Sequence, residues 1–173
     1  AKALTLVEFS MRTTWRWPRD HDEGDLIVSE MDEVIPALVA AVQEQHATGD
    51  HYRDDAIRQA MEHQAQLALR PGPVRVDVIV DPPWSDGQIN SVQVVTGDRP
   101  FLVDTVVSCL LRHGWRVEDV RHPIIGVKRD RGTIEAVGTP GRGGCASESW
   151  IHIDVTAPLG TDIGQAAEQL RDD

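Results

Sequence analysis

The stretch Val94 to Val106 (VVTGDRPFLVDTV) combines residue types and spacing suited to binding chemistry. A strand runs into a turn, and the turn opens a helix whose Leu102, Val103, Val106 and Leu110 form a core-facing stripe. Backbone N–H groups at a helix start lack intrahelical acceptors and carry the positive end of the helix dipole, so they suit a carboxylate. An aspartate beside them, Asp98, suits an ammonium. Asp98 is also the expected N-cap, its carboxylate accepting from the Phe101 N–H, with Pro100 in the first turn.

The other reactive residue types form no convergent set. His21, His46, His51 and His63 are scattered over polar stretches, and no H-E-x-x-H occurs. His122 and His152 fall in expected strands, where alternation puts His152 on one face with Trp150 and Asp154. A metal would need a third ligand converging there, so packing and hydrogen bonding are the expected role, and no metal residue is assigned. Ser147, Ser149 and His152 are close in sequence but lack a nucleophile elbow, so no catalytic residue is assigned either. No G-x-G-x-x-G follows a strand and opens a helix; the glycines of GTPGRGG (138–144) have the wrong spacing, which leaves no cofactor-binding residue. Cys109 reads as a buried structural thiol in an apolar helix, and Cys145 as exposed in a glycine-rich loop.

The elements that would position the turn come from the change in hydrophobic period. Residues 1–30 read as an extended N-terminal segment, with a short strand at 4–10. Trp15-Arg16-Trp17 within it is either an interaction patch, with arginine stacked on indole, or a segment packed back on the protein. Residues 31–73 read as a helical subdomain. Val34, Ile35, Leu38, Val39 and Val42 stripe a helix over 31–47, and Tyr52, Ile57, Ala60, Met61 and Ala68 stripe another over 51–69. Arg70-Pro71-Gly72-Pro73 stops the second. Both stripes are narrow, so the two helices should lean on another element.

From residue 74 the period becomes strand-like, and 74–173 reads as one α+β domain. VRVDVIV (74–80) alternates. Strand 88–96, helix 99–113, strand 116–128, a glycine-rich stretch (129–147), strand 149–156 and a short helix at 161–171 follow. This β-α-β-β-α order is a ferredoxin-like βαββαβ sandwich without its last strand, which either lies beyond residue 173 or is replaced by another segment such as 74–80.

A formal charge of −11, with 28 acidic against 17 basic residues, disfavours nucleic acid and anionic membranes as partners. With no apolar run of transmembrane length and no signal-peptide pattern, a cytoplasmic protein is expected.

The turn resembles the D-R-P-G-L-L word of ACT domains. More of the chain resembles the first ACT-like domain of the large-class bacterial NAD-specific glutamate dehydrogenases. DRPFLVDTV, RHGWRVEDVRHPIIGVKRD and ESWIHIDV follow the family's words in order and spacing (D-x-P-F-L-V-D-S-V, R-x-G, H-P, V-x-R-D, E-S-W-x-H), over about residues 74–160.

The resemblance implies a non-catalytic regulatory or assembly domain. The parent enzyme would oxidatively deaminate L-glutamate to 2-oxoglutarate and ammonia, with NAD bound by a downstream catalytic domain and no cofactor on this segment. Its implied partners are the remaining domains of that enzyme, further copies in a homo-oligomer, and an amino-acid effector. ACT domains that bind amino acids use the strand–helix turn, which makes Thr96, Gly97, Asp98, Arg99, Phe101, Leu102 and Asp104 the candidate ligand-binding residues. Where those domains place glycine after the proline, this chain has Phe101, whose ring would fill the ligand's space and leave the turn to scaffolding. A stand-alone amino-acid-sensing ACT protein is the alternative; it would be expected to keep the glycine and complete the last strand.

Overall fold

The computed structural model describes residues 26–27, 31–45, 54–85, 87, 89–160 and 162–171. The expected strand at 4–10, the Trp15–Trp17 segment and Tyr52 lie outside them. The order is β1 (Leu26–Ile27), α1 (Met31–Gln45), α2 (Asp54–Ala68), β2 (Val74–Ile79), β3 (Asn90–Gly97), α3 (Leu102–Arg112), β4 (Arg116–Arg121), β5 (Ile124–Asp130), β6 (Thr133–Gly138), β7 (Ala146–Thr156) and α4 (Ile163–Arg171).

All strand pairings are antiparallel, in the order β1-β6-β5-β7-β3-β2, with β4 also beside β7. The eleven-residue β7 pairs with β5 along its first part and with β4 along its second. The single strand expected at 116–128 is therefore one path broken at His122-Pro123, because proline has no N–H to give to a ladder. The Pro123 carbonyl still accepts from the Trp150 N–H at 3.0 Å, so β4 and β5 stay in line.

The ferredoxin-like unit runs β3-α3-β4/β5-β7-α4. Its missing last strand is supplied by β2, which lies antiparallel on the far side of β3 from Val74↔Thr96 to Ile79↔Ser91. Strand β6 corrects the reading of 129–147 as a glycine-rich loop. Asp130 pairs with Thr133 across a two-residue turn, Arg131 (φ 48°) and Gly132 (φ 92°). Two positive φ angles match the twist of a tight hairpin.

Three layers result. Helices α1 and α2 cover one face, where Val34, Leu38, Val42, Met61 and Ala65 meet Val95, Ile125, Val127, Val137 and Trp150. Helices α3 and α4 cover the other, where Leu110, Trp115, Ala167 and Leu170 meet Val78, Val92, Val94, Ile151, Ile153 and Val155. Neighbours such as Val94 and Val95, or Trp150 and Ile151, serve opposite cores by strand alternation. Gly126 on β5 stands opposite Gly138, where the β6–β7 connection crosses close over the sheet. Among the described residues no helix is long and apolar enough to cross a membrane.

At the β4 edge, Glu118 accepts from the Thr156 hydroxyl and from Arg116 Nε, both at 2.6 Å. The Thr156 hydrogen bond first, and then Arg116, hold its carboxyl below the ordinary carboxylate range. A carboxylate with a lowered folded pKa stabilises the fold above its unfolded value, and that contribution is lost as pH falls through the folded one. Thr156→Val should therefore lower stability at neutral pH by a small amount, with the difference from wild type vanishing in acid. Urea midpoints across a pH series measure this; a difference that persists below the titration would assign the loss to packing.

Candidate functional site

The β3–α3 turn is tied down from two sides. The Asp98 N–H donates to the Ser147 carbonyl at 2.9 Å, and the Ser149 hydroxyl donates to Asp98 Oδ1 at 2.6 Å. Thr96 Oγ1 donates to the Pro73 carbonyl at 3.2 Å, linking the end of β3 to the residue before β2. Asp98 is thus not the N-cap expected from the sequence. The hydroxyl on the neighbouring strand takes its carboxylate, and the cap position falls on Phe101, which makes no side-chain cap hydrogen bond. The Phe101 carbonyl starts the helix, accepting from the Thr105 N–H at 2.9 Å and the Thr105 hydroxyl at 2.8 Å.

Phe101 sits in the left-handed region, at φ 67° and ψ 13°. This is the conformation glycine supplies without cost, and an L-residue there costs roughly 1–2 kcal/mol. The ring does not fill the turn as expected: Phe101 is 76% exposed. Of the candidate residues, Gly97, Asp98, Arg99 and Asp104 are also exposed, Thr96 is buried, and Leu102 packs partly into the α3/α4 core. Phe101→Gly should stabilise the domain by up to about 1 kcal/mol, strain relief exceeding the extra entropy of an unfolded glycine. Urea denaturation tests it; a loss of stability would show that the ring packs against something.

A second cluster lies on the α2-facing side of the sheet. Cross-strand register aligns Gln93 (β3), His152 (β7) and Arg121 (β4), with Ser91 and Asp154 in the next row. Gln93 Nε2 donates to the Ala60 carbonyl of α2 at 2.9 Å, which fixes the amide's orientation. The same nitrogen lies 3.0 Å from His152 Nδ1, which must therefore accept. His152 then carries its proton on Nε2 and donates to Asp154 Oδ1 at 3.1 Å. Asp154 also accepts from the Ser91 hydroxyl at 3.1 Å and from Arg121 Nη2 at 2.6 Å. Trp84 Nε1 reaches Ser91 Oγ at 3.3 Å, and His63 Nδ1 donates to Gln93 Oε1 at 2.8 Å. The set contains a hydroxyl, a carboxylate and an imidazole, yet not in a nucleophile's arrangement. Ser91 donates to the carboxylate rather than to the ring, and both ring nitrogens of the buried His152 are taken. Its task is to hold α2, β3, β7 and β4 in register.

The family model for the glutamate dehydrogenase ACT1 domain matches residues 37–172. The chain belongs to this family. No solved structure matches it.

In this ACT1 domain the match takes in α2 and strands β2 to β7, so the Gln93–His152–Asp154 network lies wholly within it. His152 has the packing and hydrogen-bonding role expected of it. No local pattern marks Ser91, Gln93 or Arg121, which read as ordinary strand positions. His122 sits at the break between β4 and β5, its Nε2 buried and without a hydrogen-bond partner among the described residues. Of the two thiols, Cys109 packs partly into the α3/α4 core as expected, and Cys145 does not lie exposed. Cys145 is 3% exposed, because the loop folds back so that the Cys145 N–H donates to the Arg142 carbonyl and its own carbonyl accepts from Gly141. Cys109, on the flank of α3, is half-buried.

Proposed function

We propose that this ACT1 domain is a non-catalytic regulatory and assembly unit of an NAD-specific glutamate dehydrogenase of the large bacterial class, which deaminates L-glutamate in the cytoplasm through a separate catalytic domain. The ordered words from DRPFLVDTV to ESWIHIDV support that class. The observation that carries the assembly role is Phe101, a large apolar side chain held outward from a turn that is anchored on both sides and strained to present it. Such a residue gains most when a partner covers it. Its partners in this reading are the remaining domains of the parent enzyme or a second copy in a homo-oligomer.

The test is sedimentation and activity of the full-length enzyme carrying Phe101→Gly. Weakened assembly or altered glutamate response, with the isolated domain still folded, supports docking; an unchanged enzyme overturns it. The isolated domain should show no glutamate turnover with NAD.

A second reading keeps an amino-acid effector at the turn, involving Thr96, Gly97, Asp98, Arg99, Phe101, Leu102 and Asp104. The lack of a side-chain cap on α3 favours it, since the first N–H groups of that helix suit a carboxylate. Because Asp98 already holds Ser149, the ammonium would find that carboxylate half occupied. Calorimetric titration with glutamate, aspartate and leucine decides between the readings: saturable binding lost in Asp98→Ala favours the effector.

A further inference from the structure

Arg75 on β2, Arg129 on β5 and Glu148 on β7 come together on the α1/α2 side of the sheet. Glu148 pairs across the ladder with Gly97 and with Ile125, and Arg75 pairs with Val95. Arg129 grips Glu148 through two bonds, Nε to Oε1 at 2.6 Å and Nη2 to Oε2 at 3.0 Å, while its Nη1 donates to the Gly132 carbonyl at 3.1 Å. Each Glu148 oxygen thus already holds an arginine N–H. Arg75 is only 6% exposed and donates through Nε to the Arg70 carbonyl at the end of α2. Its two terminal nitrogens make no hydrogen bond among the described residues. Burial first, and then the charge of Arg129, push its pKa below the usual arginine value, with Glu148 opposing.

Two guanidinium groups therefore share one carboxylate, which leaves a net positive charge, and the terminal nitrogens of Arg75 reach solvent. A guanidinium's planar donors match a carboxylate two by two. Gly97 is exposed and has no positive φ, and a Cβ built there, on the Glu148 side of the sheet, meets nothing within 4 Å.

We propose that Arg75, beside the Arg129–Glu148 pair and beneath Gly97, is a binding site for the carboxylate of a small monoanion. Charge counting selects this class. One carboxylate neutralises the cluster, whereas a phosphate dianion would leave it negative and set its second charge near Glu148. The site faces α1 and α2, whereas the Asp98–Ser149 contact belongs to the α3/α4 side; the two share Gly97 but not Arg75, so Arg75→Lys separates this site from the turn.

The test is titration of the purified chain with sodium propionate, following the Gly97 amide and the Arg75 Nε–H by NMR, with chloride at equal ionic strength as reference. Saturable shifts are expected with propionate, none with neutral propionamide, and weaker ones with phosphate. Gly97→Val roofs the site without removing a charge; it should weaken propionate binding at least tenfold with an unchanged melting temperature. Arg75→Lys keeps the charge but loses the fork, and should weaken binding several-fold. Propionate shifts no larger than those of chloride, or full binding by Gly97→Val, would overturn the site. Phosphate binding more tightly than propionate would overturn the carboxylate assignment.

Discussion

Gly126→Ala is expected to destabilise the domain by about 3 kcal/mol or more, enough to leave much of it unfolded at moderate temperature. The added Cβ would stand 2.3 Å from the Gly138 carbonyl oxygen, 2.6 Å from the Thr139 carbonyl carbon and 2.7 Å from the Pro140 nitrogen. All three are backbone atoms, so no side-chain rotation relieves the contact. The β6–β7 connection would have to lift away, taking with it the Gly126↔Gly138 pairing and the Ser147 register beside it. Urea denaturation monitored by tryptophan fluorescence reads the effect, since Trp150 is fully buried beside β5. A loss below about 1 kcal/mol would mean that the connection yields easily.

The second large effect is expected at Asp154. Asp154→Ala removes the carboxylate that accepts from Ser91, His152 and Arg121, and exposures of 2% and 16% for the Asp154 and Arg121 side chains leave little water to replace it. Breaking such a pair from one side costs about 3–5 kcal/mol, because the remaining charge stays buried. Asp119 Oδ2, 2.9 Å from Arg121 Nε, should hold the loss toward the lower end. Asp154→Asn keeps an acceptor and the shape, and should cost less than half as much. Equal losses in both variants would assign the effect to geometry rather than charge.

Much of the frame was legible from hydrophobic period. The stripes of α1 and α2 and the alternation of β2 depend on local patterning alone, and the narrowness of the helical stripes already implied a supporting sheet. The break in β4/β5 was hidden because apolar residues continue through His122-Pro123, and only the missing proline N–H interrupts the ladder. Strand β6 was hidden because its turn is Arg131-Gly132, where the arginine takes a positive φ that sequence patterns associate with asparagine or aspartate. For the site, the turn was visible and its internal bonds were not. Whether Asp98 caps its own helix or accepts from Ser149, 51 residues later, is decided by strand register, which no local pattern carries. The polar row fails the same way: Ser91 and Gln93 look like solvent-facing positions until Trp84 reaches the first and α2 covers the second.

The placement of β2 bears on how quickly the chain finds its fold. Its partners on β3 are only 22 residues away at Val74↔Thr96 and 12 at Ile79↔Ser91. A strand arriving after α4 to fill the same place would pair with β3 across at least 74 residues, the distance from Gly97 to Arg171. Closing a longer loop costs more entropy before any contact rewards it, and folding rates fall as contacts become less local. By taking its outer strand from just upstream, the sheet exchanges a distant pairing for a hairpin that can form early and present β3 with one edge already satisfied.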